Sequence, residues 1–441
     1  MNLSAFIHQL LVDQQLYEIS EPVNPFLELA ALTDLVCKSR SNKALLFSGI
    51  PGSQVKIATN LFGTDQRMAV ALGAANLADF GTHLHKTLIQ GSCADSAGAL
   101  KDLALQQPRV QQSPVPGRVE NDLSFLPQIR FWPQERRTFL TLAVVITASA
   151  DTQNQNYGLY RVGISGRSKL LLNFLPGSEG GQHLREWQSI QRPMPVAVVL
   201  GADPALIFAA ASSLPPGCDE SRYCAFLQRR PFAFSAAASV PLEIPHSAQI
   251  ILEGWVSNSR VKNEGPFGCF RGNYGGGALC PTVEISAIRR TTEPLMPLTL
   301  AGPLPMEDCW LAKANHELMR ARLLIDLPHL ELLDLPLETA FSGLYYVRSH
   351  RSELSVADIA AQLKGCAYFR RLQMLIKLDP DAPSPNDFNW RQLAVNARAD
   401  QVWRLPSADL DDLLKAKPPC LTYPPVLLQS CIQRLTAIQN S

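Results

Sequence analysis

The stretch "NEGPFGCFRGNYGGG", Asn263 to Gly277, gathers six glycines and a proline around one carboxylate, Glu264, one thiol, Cys269, and one arginine, Arg271. Glycine at that density lets another group approach the backbone closely. A loop built for proton transfer is expected to carry a second acid, yet this one carries a thiol at Cys269. Thiols are mostly protonated at neutral pH and can in principle donate. A thiol is shorter than glutamate, however, and cannot accept a bidentate arginine pair. Two readings of Cys269 therefore stand: a thiol acid, or a small side chain filling a tight loop. Glu264 is then the stronger proton shuttle, and Arg271 reads as a solvated side chain.

A second set of polar residues is spread over the middle of the chain. "NYGLYR" puts Asn156 and Arg161 five apart, on opposite faces of a strand unless that strand begins at a turn. His183 lies in what reads as a polar, glycine-rich bend, and Glu220 heads "ESRYCAFL" near a helix N-terminus. An amide oxygen, an imidazole and a carboxylate suit a divalent ion such as Mn²⁺ or Mg²⁺, with open positions for phosphate. "GISG" at Gly163 and "GSEGGQH" at Gly177 lack the strand–loop–helix setting of a nucleotide loop and read as hairpin turns. His83 and His85, spaced i,i+2, would share a strand face; with no third ligand nearby a structural role is expected.

The elements that must position these residues fall into three regions. Leu3, Phe6, Ile7, Leu10 and Leu11 repeat at helical spacing behind the cap Asn2, and a second helix is expected from Pro25 to about Lys38. With "KALLFSG" and "VKIATNLFG" as short strands, residues 1–105 read as an α/β domain. Residues 106–135 are rich in proline and polar side chains and read as an extended linker. Residues 136–305 carry six strand-like runs, with one helix from Pro204 to about Ser212 behind Asp203, and read as a β-rich, split-barrel-like domain. Residues 306–441 alternate helix and strand again, trailing into "KPPCLTYPPV". The fold class is a multidomain mixture of α/β and α+β units.

Composition narrows the partners. The 441 residues are 46% apolar and 18% charged with a net charge of +1, whereas a nucleic-acid binder needs a basic excess. Ten scattered cysteines without a CxxC read as reduced thiols of a cytoplasmic protein. "MNLSAFIHQLLVDQQLYEIS" is not patterned as a signal peptide, and no apolar run is long enough to span a bilayer.

Taken in order, "EISEPVNPFLELAALTD", "LFGTDQRMAVALG", "NYGLYR", "GGQHLREW", "MPVAVVLGADP", "SSLPPGCDE", "IILEGWV" and "NEGPFG" with "RGNYGG" resemble the UbiD family of decarboxylases. The resemblance runs through residues 1 to about 305 and more weakly through "PMEDCWLAKANHELM". It implies a flavin-binding central domain, prenylated FMN as cofactor, and Mn²⁺ or Mg²⁺ together with K⁺. It also implies a flavin prenyltransferase as the cofactor's source and a homodimer or higher homo-oligomer, for which the apolar C-terminal domain offers a surface. By this resemblance Asn156, His183 and Glu220 hold the metal bridged to the cofactor phosphate, and Arg161 engages the substrate carboxylate beside the cofactor. Glu264 matches the first acid of a Glu–Arg–Glu/Asp network, and Cys269 stands where the second acid belongs.

The implied activity is non-oxidative, reversible decarboxylation of an aromatic or α,β-unsaturated carboxylic acid. The alternative is an altered family member acting as a cofactor-binding partner subunit. The chemistry agrees with the cofactor: enzymes remove about 8–23 kcal/mol from such barriers, whereas one placed hydrogen-bond donor supplies about 3–4 kcal/mol. An electron sink is therefore needed. A fixed arginine for the carboxylate and a proton donor for the carbon complete the requirement.

Overall fold

The computed structural model describes residues 1–91, 93–382, 384–385, 389–405 and 421–440. Its centre is a nine-stranded sheet. Its main path runs, strand beside strand, from Phe139–Leu140 through Arg161–Ile164, Lys169–Asn173, Leu279–Arg290, Ile250–Asn263, Met194–Leu200 and Val144–Ala148 to Gln155–Leu159. Every pairing along it is antiparallel. The strand Gln155–Leu159 ends the sheet, yet after the single residue Tyr160 the chain enters Arg161–Ile164, next to the opposite end. The sheet must therefore curl into a half-barrel, with "NYGLYR" crossing its seam.

Composition explains the strand at the middle of this sheet. Met194–Leu200, "MPVAVVL", is buried at every position, as expected of a strand covered on both faces. The helix Glu179–Ser189 covers one face, and the helices Pro204–Ala211 and Glu220–Gln228 pack by the other side of the same region.

The N-terminal sheet joins Leu16–Ile19, Ala44–Phe47 and Lys56–Thr59, and its fourth strand is Leu295–Leu298, from far along the chain. One buried cluster runs without a break from Ile19, Leu29 and Phe47 into Val145, Val198 and Leu252. The N-terminal and central regions thus share a core that a boundary read from sequence separates.

Residues 106–135 differ from the linker expected. They are extended, but Arg109–Gln111 pairs with Phe232–Ala236, Arg118–Val119 pairs with Leu279–Arg290, and Phe131 and Trp132 are buried. Prolines and polar residues fit such short edge strands, where unpaired backbone still meets water.

The C-terminal sheet has the order Leu330–Leu332, Leu344–Ser349, Met374–Lys377, Val402–Arg404. The helix Asp308–Asp326 connects it to the rest and packs against Leu77–Leu88. The final helix, Pro425–Asn440, returns to lie on Glu28–Cys37, where Arg434 Nη1 donates to Glu28 at 2.9 Å. Part of "KPPCLTYPPV" lies outside the described residues. Among the described residues no helix is long and apolar enough to cross a membrane.

Two histidine expectations change. His83 and His85 lie in the helix Leu77–Leu88, so i,i+2 spacing turns them apart; His83 stacks on Phe226 and His85 faces the Ala321 carbonyl. His183 lies in the helix Glu179–Ser189 and not in a bend, and "GSEGGQH" opens that helix instead of forming a hairpin turn. Ser178 caps it by accepting from Gly181 N at 3.2 Å.

Candidate active site

Arg161 and Glu264 are brought together across the open end of the half-barrel. Arg161 Nε donates to Glu264 Oε2 at 3.1 Å and Nη2 donates to Oε1, a two-point pair. Glu264 is buried and also accepts from Asn173 Nδ2 at 2.9 Å. Asn173 stands directly opposite Arg161 in the strand register, which is why it reaches the same carboxylate. The Arg161 guanidinium lies 4.3 Å from the centroid of Phe267, three residues beyond Glu264. The buried Cys280 thiol completes the wall; burial and the Glu264 charge push it up to about 12, so it stays protonated.

Cys269 is turned elsewhere. Phe267–Gly268 pairs with Tyr274–Gly275 in a small hairpin, and Cys269 opens its turn. The Cys269 Sγ donates to Asn273 Oδ1 at 2.7 Å, and Cys269 N donates to the Asn273 carbonyl at 3.0 Å. Among the described residues no hydrogen bond joins it to Arg161 or Glu264. Arg271 is exposed, over the edge of Phe270. A carboxylate that sequence reading passed over fixes this hairpin: buried Glu135 accepts from Gly268 N at 3.1 Å, Phe131 N at 3.0 Å and Trp132 N at 3.3 Å.

Asn156, His183 and Glu220 are each tied to the strand Gln155–Leu159 or its neighbour by separate contacts. Asn156 faces Thr147 across the sheet, and Thr147 Oγ1 lies 3.0 Å from His183 Nδ1. That contact orients the ring and turns its Nε2 edge away from Thr147. Burial holds His183 below the ordinary imidazole range, hence neutral and able to ligate. Glu220 begins the helix Glu220–Gln228, capped by Asp219 through Ser221 N and Arg222 N, and its Oε2 accepts the free edge N–H of Tyr157 at 3.1 Å.

A helix N-terminus favours a carboxylate by up to about 1 kcal/mol, but burial costs more. Burial, with Glu179 as a second carboxylate nearby, pushes Glu220 well above the ordinary range. The Asn156 amide nitrogen is buried without a hydrogen-bond partner among the described residues. An orphaned amide, an oriented imidazole and a carboxylate penalised for lack of a countercharge are what a cation with a phosphate would satisfy. Among the described residues no three His, Cys, Asp or Glu side chains converge, so any ion there depends on the Asn156 amide.

A cavity of ≈ 220 Å³ opens next to the strand Gln155–Leu159, and neither group of residues is among those that line it. Leu159 forms part of one wall, the helix Asp308–Asp326 a second, and residues 339–345 a third, where Phe341 packs 5.1 Å from Phe270 of the hairpin. The volume suits a single-ring acid and falls below the roughly 300–1,000 Å³ of larger ligand pockets. A second cleft of ≈ 540 Å³ lies beyond Glu179, Gly217 and Asp219, on the side of Glu220.

Residues 7–84 match the 3-octaprenyl-4-hydroxybenzoate carboxy-lyase N-terminal domain, and residues 104–304 match the 3-octaprenyl-4-hydroxybenzoate carboxy-lyase Rift-related domain. An uncharacterized protein of Archaeoglobus fulgidus is 29% identical over 423 residues, covering 93% of this chain and 88% of its own. One of Aquifex aeolicus is 29% identical over 360 residues, covering 78% and 74%. Among solved structures, the fold is similar to that of the UbiD-class enzyme HmfF from Pelotomaculum thermopropionicum, in an evolved dimeric form in complex with prFMN. The TM-score is 0.74, with 20% identity and 89% of each chain covered. It is also similar to vanillic acid decarboxylase of Sedimentibacter hydroxybenzoicus in closed form, with TM-score 0.76, 18% identity, and 100% and 99% covered.

Proposed function

The chain belongs to the UbiD family of carboxy-lyases, and from that membership we propose that it is a non-oxidative, reversible decarboxylase of a small aromatic or α,β-unsaturated carboxylic acid. The observation that carries the reading is the two-point pair of Arg161 and buried Glu264, with Asn173 on the same carboxylate. Prenylated FMN, when bound, supplies the electron sink for the pair released as the C–CO₂ bond breaks. Asn156, His183 and Glu220 are the residues that would hold its phosphate through Mn²⁺ or Mg²⁺. Arg161, permanently charged and planar, orients the substrate carboxylate. Glu264 holds Arg161 in place and moves a proton at its Oε atoms. Phe267 shields one face of the pair from water, which strengthens it.

One observation favours a second reading. The Cys269 thiol is engaged with Asn273, so the second acid position is vacant in chemistry as well as in sequence. A member that binds cofactor but does not turn over would serve as a partner subunit.

Co-production with a flavin prenyltransferase separates the two. Flavin-loaded protein that releases CO₂ from an acid of a broad panel, or exchanges deuterium into the product, supports the decarboxylase. Loaded protein that does neither supports the partner subunit.

A further inference from the structure

Glu135 shares no hydrogen bond with Arg161 or Glu264 among the described residues, yet its contact stops one residue short of theirs. Its Oε1 accepts from Gly268 N at 3.1 Å, and the preceding residue, Phe267, lies 4.3 Å from the Arg161 guanidinium. The Phe267 ring also meets Phe139 edge-on at 4.9 Å, so its place beside Arg161 is set by where its backbone is seated. That seat is tight. A Cβ on Gly268 would lie 2.2 Å from Trp132 Cδ1, and Gln134 N donates to Tyr274 Oη at 3.1 Å farther along the hairpin. At its tip the Gly272 carbonyl accepts from Leu421 N at 3.0 Å. Of these ties the Glu135 bond is the nearest to Phe267 along the chain. We propose that Glu135 is a positioning residue of the reaction centre: it seats Gly268, thereby Phe267, and through that ring the plane in which Arg161 meets the substrate carboxylate. The inference rests on the decarboxylase reading.

A carboxylate is what this seat requires. All three hydrogen-bond partners of Glu135 are backbone N–H groups, Gly268 on Oε1 and Phe131 with Trp132 on Oε2. An ionised carboxylate accepts on both oxygens, whereas an amide accepts on one side and donates from the other. Glutamine would therefore set N–H against N–H, either at the hairpin or at residues 131–132. Glu135 is buried, so a bond lost there is not made good by water. Its own N–H donates to the Trp132 carbonyl at 3.1 Å, which folds residues 132–135 into a turn and brings the carboxylate back to that turn's N–H groups. Aspartate, one methylene shorter, keeps the charge but loses reach. The hairpin also carries its own reporter, because the half-buried Cys269 follows Gly268 directly. Cys93 and Cys366, the other half-buried thiols among the described residues, lie in other elements.

The test uses flavin-loaded protein carrying Glu135→Gln, Glu135→Asp, Phe267→Leu, or Glu135→Gln together with Phe267→Leu. In Glu135→Gln, iodoacetamide is expected to label Cys269 at least ~10-fold faster than in the parent, the scale of one buried bond lost, with Cys93 and Cys366 unchanged. KM for the acid should rise about 10-fold while kcat changes less, because Arg161 meets the carboxylate before the bond breaks. Glu135→Asp should show both effects at smaller amplitude, and it carries the test if Glu135→Gln does not fold. With Phe267→Leu in place, adding Glu135→Gln should raise KM by no more than about twofold, since the two act along one path. Parental labelling and parental KM in a folded Glu135 variant overturn the proposal, as do KM effects that multiply in the double variant. If the parent releases no CO₂ from any acid, the decarboxylase reading fails and the positioning role falls with it. Faster Cys269 labelling in Glu135→Gln would then show that the seat stands and the reading does not.

Discussion

Arg161 and Glu264, 103 residues apart in the chain, form a two-point ion pair in which Nε donates to Oε2 at 3.1 Å and Nη2 donates to Oε1. The carboxylate is the more enclosed partner, its side chain 4% exposed against 28% for the arginine. A bidentate pair fixes the plane of the guanidinium as well as its position, and Phe267 beneath it blocks rotation out of that plane. The pair with Glu264 occupies Nε and Nη2 of the guanidinium.

Glu264→Gln keeps the shape of this pair but offers the guanidinium one acceptor and one clashing donor. Turnover of flavin-loaded protein is expected to fall about 10²–10⁴-fold, with flavin content unchanged. Steady-state CO₂ release beside the flavin absorbance measures both; parental activity in this variant removes Glu264 from the chemistry.

Glu220→Gln addresses the other end of the site. Exchanging a ligating oxygen for an amide should cost about 10–100-fold in metal affinity and lower flavin retention in parallel. Metal analysis and flavin absorbance after gel filtration report the two together. Loss of one without the other would break the proposed link between ion and phosphate.

Cys269→Ala removes only the bond to Asn273 on a half-exposed hairpin. A destabilisation of about 1 kcal/mol is expected, with activity retained. A collapse of activity in well-folded Cys269→Ala protein would restore the thiol to the reaction.

Glu307 adds a pH dependence to stability. It is fully enclosed; Oε1 accepts from Phe62 N at 2.9 Å, and burial pushes its pKa from the ordinary 4.5 to about 7. The folded protein then keeps a proton that the unfolded chain has already released, so stability falls as pH rises from about 4.5 to 7 and levels off above that. The group's full share is at most about 3 kcal/mol. Glu307→Gln should flatten the melting temperature between pH 5 and pH 8 in cofactor-free protein, and an unchanged slope would assign the effect to other groups.

Gly268→Ala tests how tightly the hairpin is seated. A Cβ there would lie 2.2 Å from Trp132 Cδ1, and Trp132 is itself stacked 4.6 Å from Tyr423 and bonded to the Ala301 carbonyl at 2.8 Å. Urea unfolding should show a loss of roughly 1–3 kcal/mol, the usual penalty of overpacking.

The sequence by itself determined which chemical groups are present and how each acts locally. Helical apolar spacing located the first helix with its Asn2 cap and the helix from Pro204 behind Asp203, because those patterns are set by neighbours within a few residues. The order of short motifs pointed to the family, and the exchange at Cys269 was visible at once.

Only the tertiary structure decided where those groups face. Ser178 could have marked His183 as helical, yet the glycines after it read equally well as a turn until Thr147 on another strand fixed the imidazole. Asn173 enters the site through its register opposite Arg161, and Glu135 through three backbone N–H groups gathered from two segments. Propensity acts over one or two turns of chain, whereas the direction of a side chain is set by strand register, sheet curl and packing between segments a hundred or more residues apart.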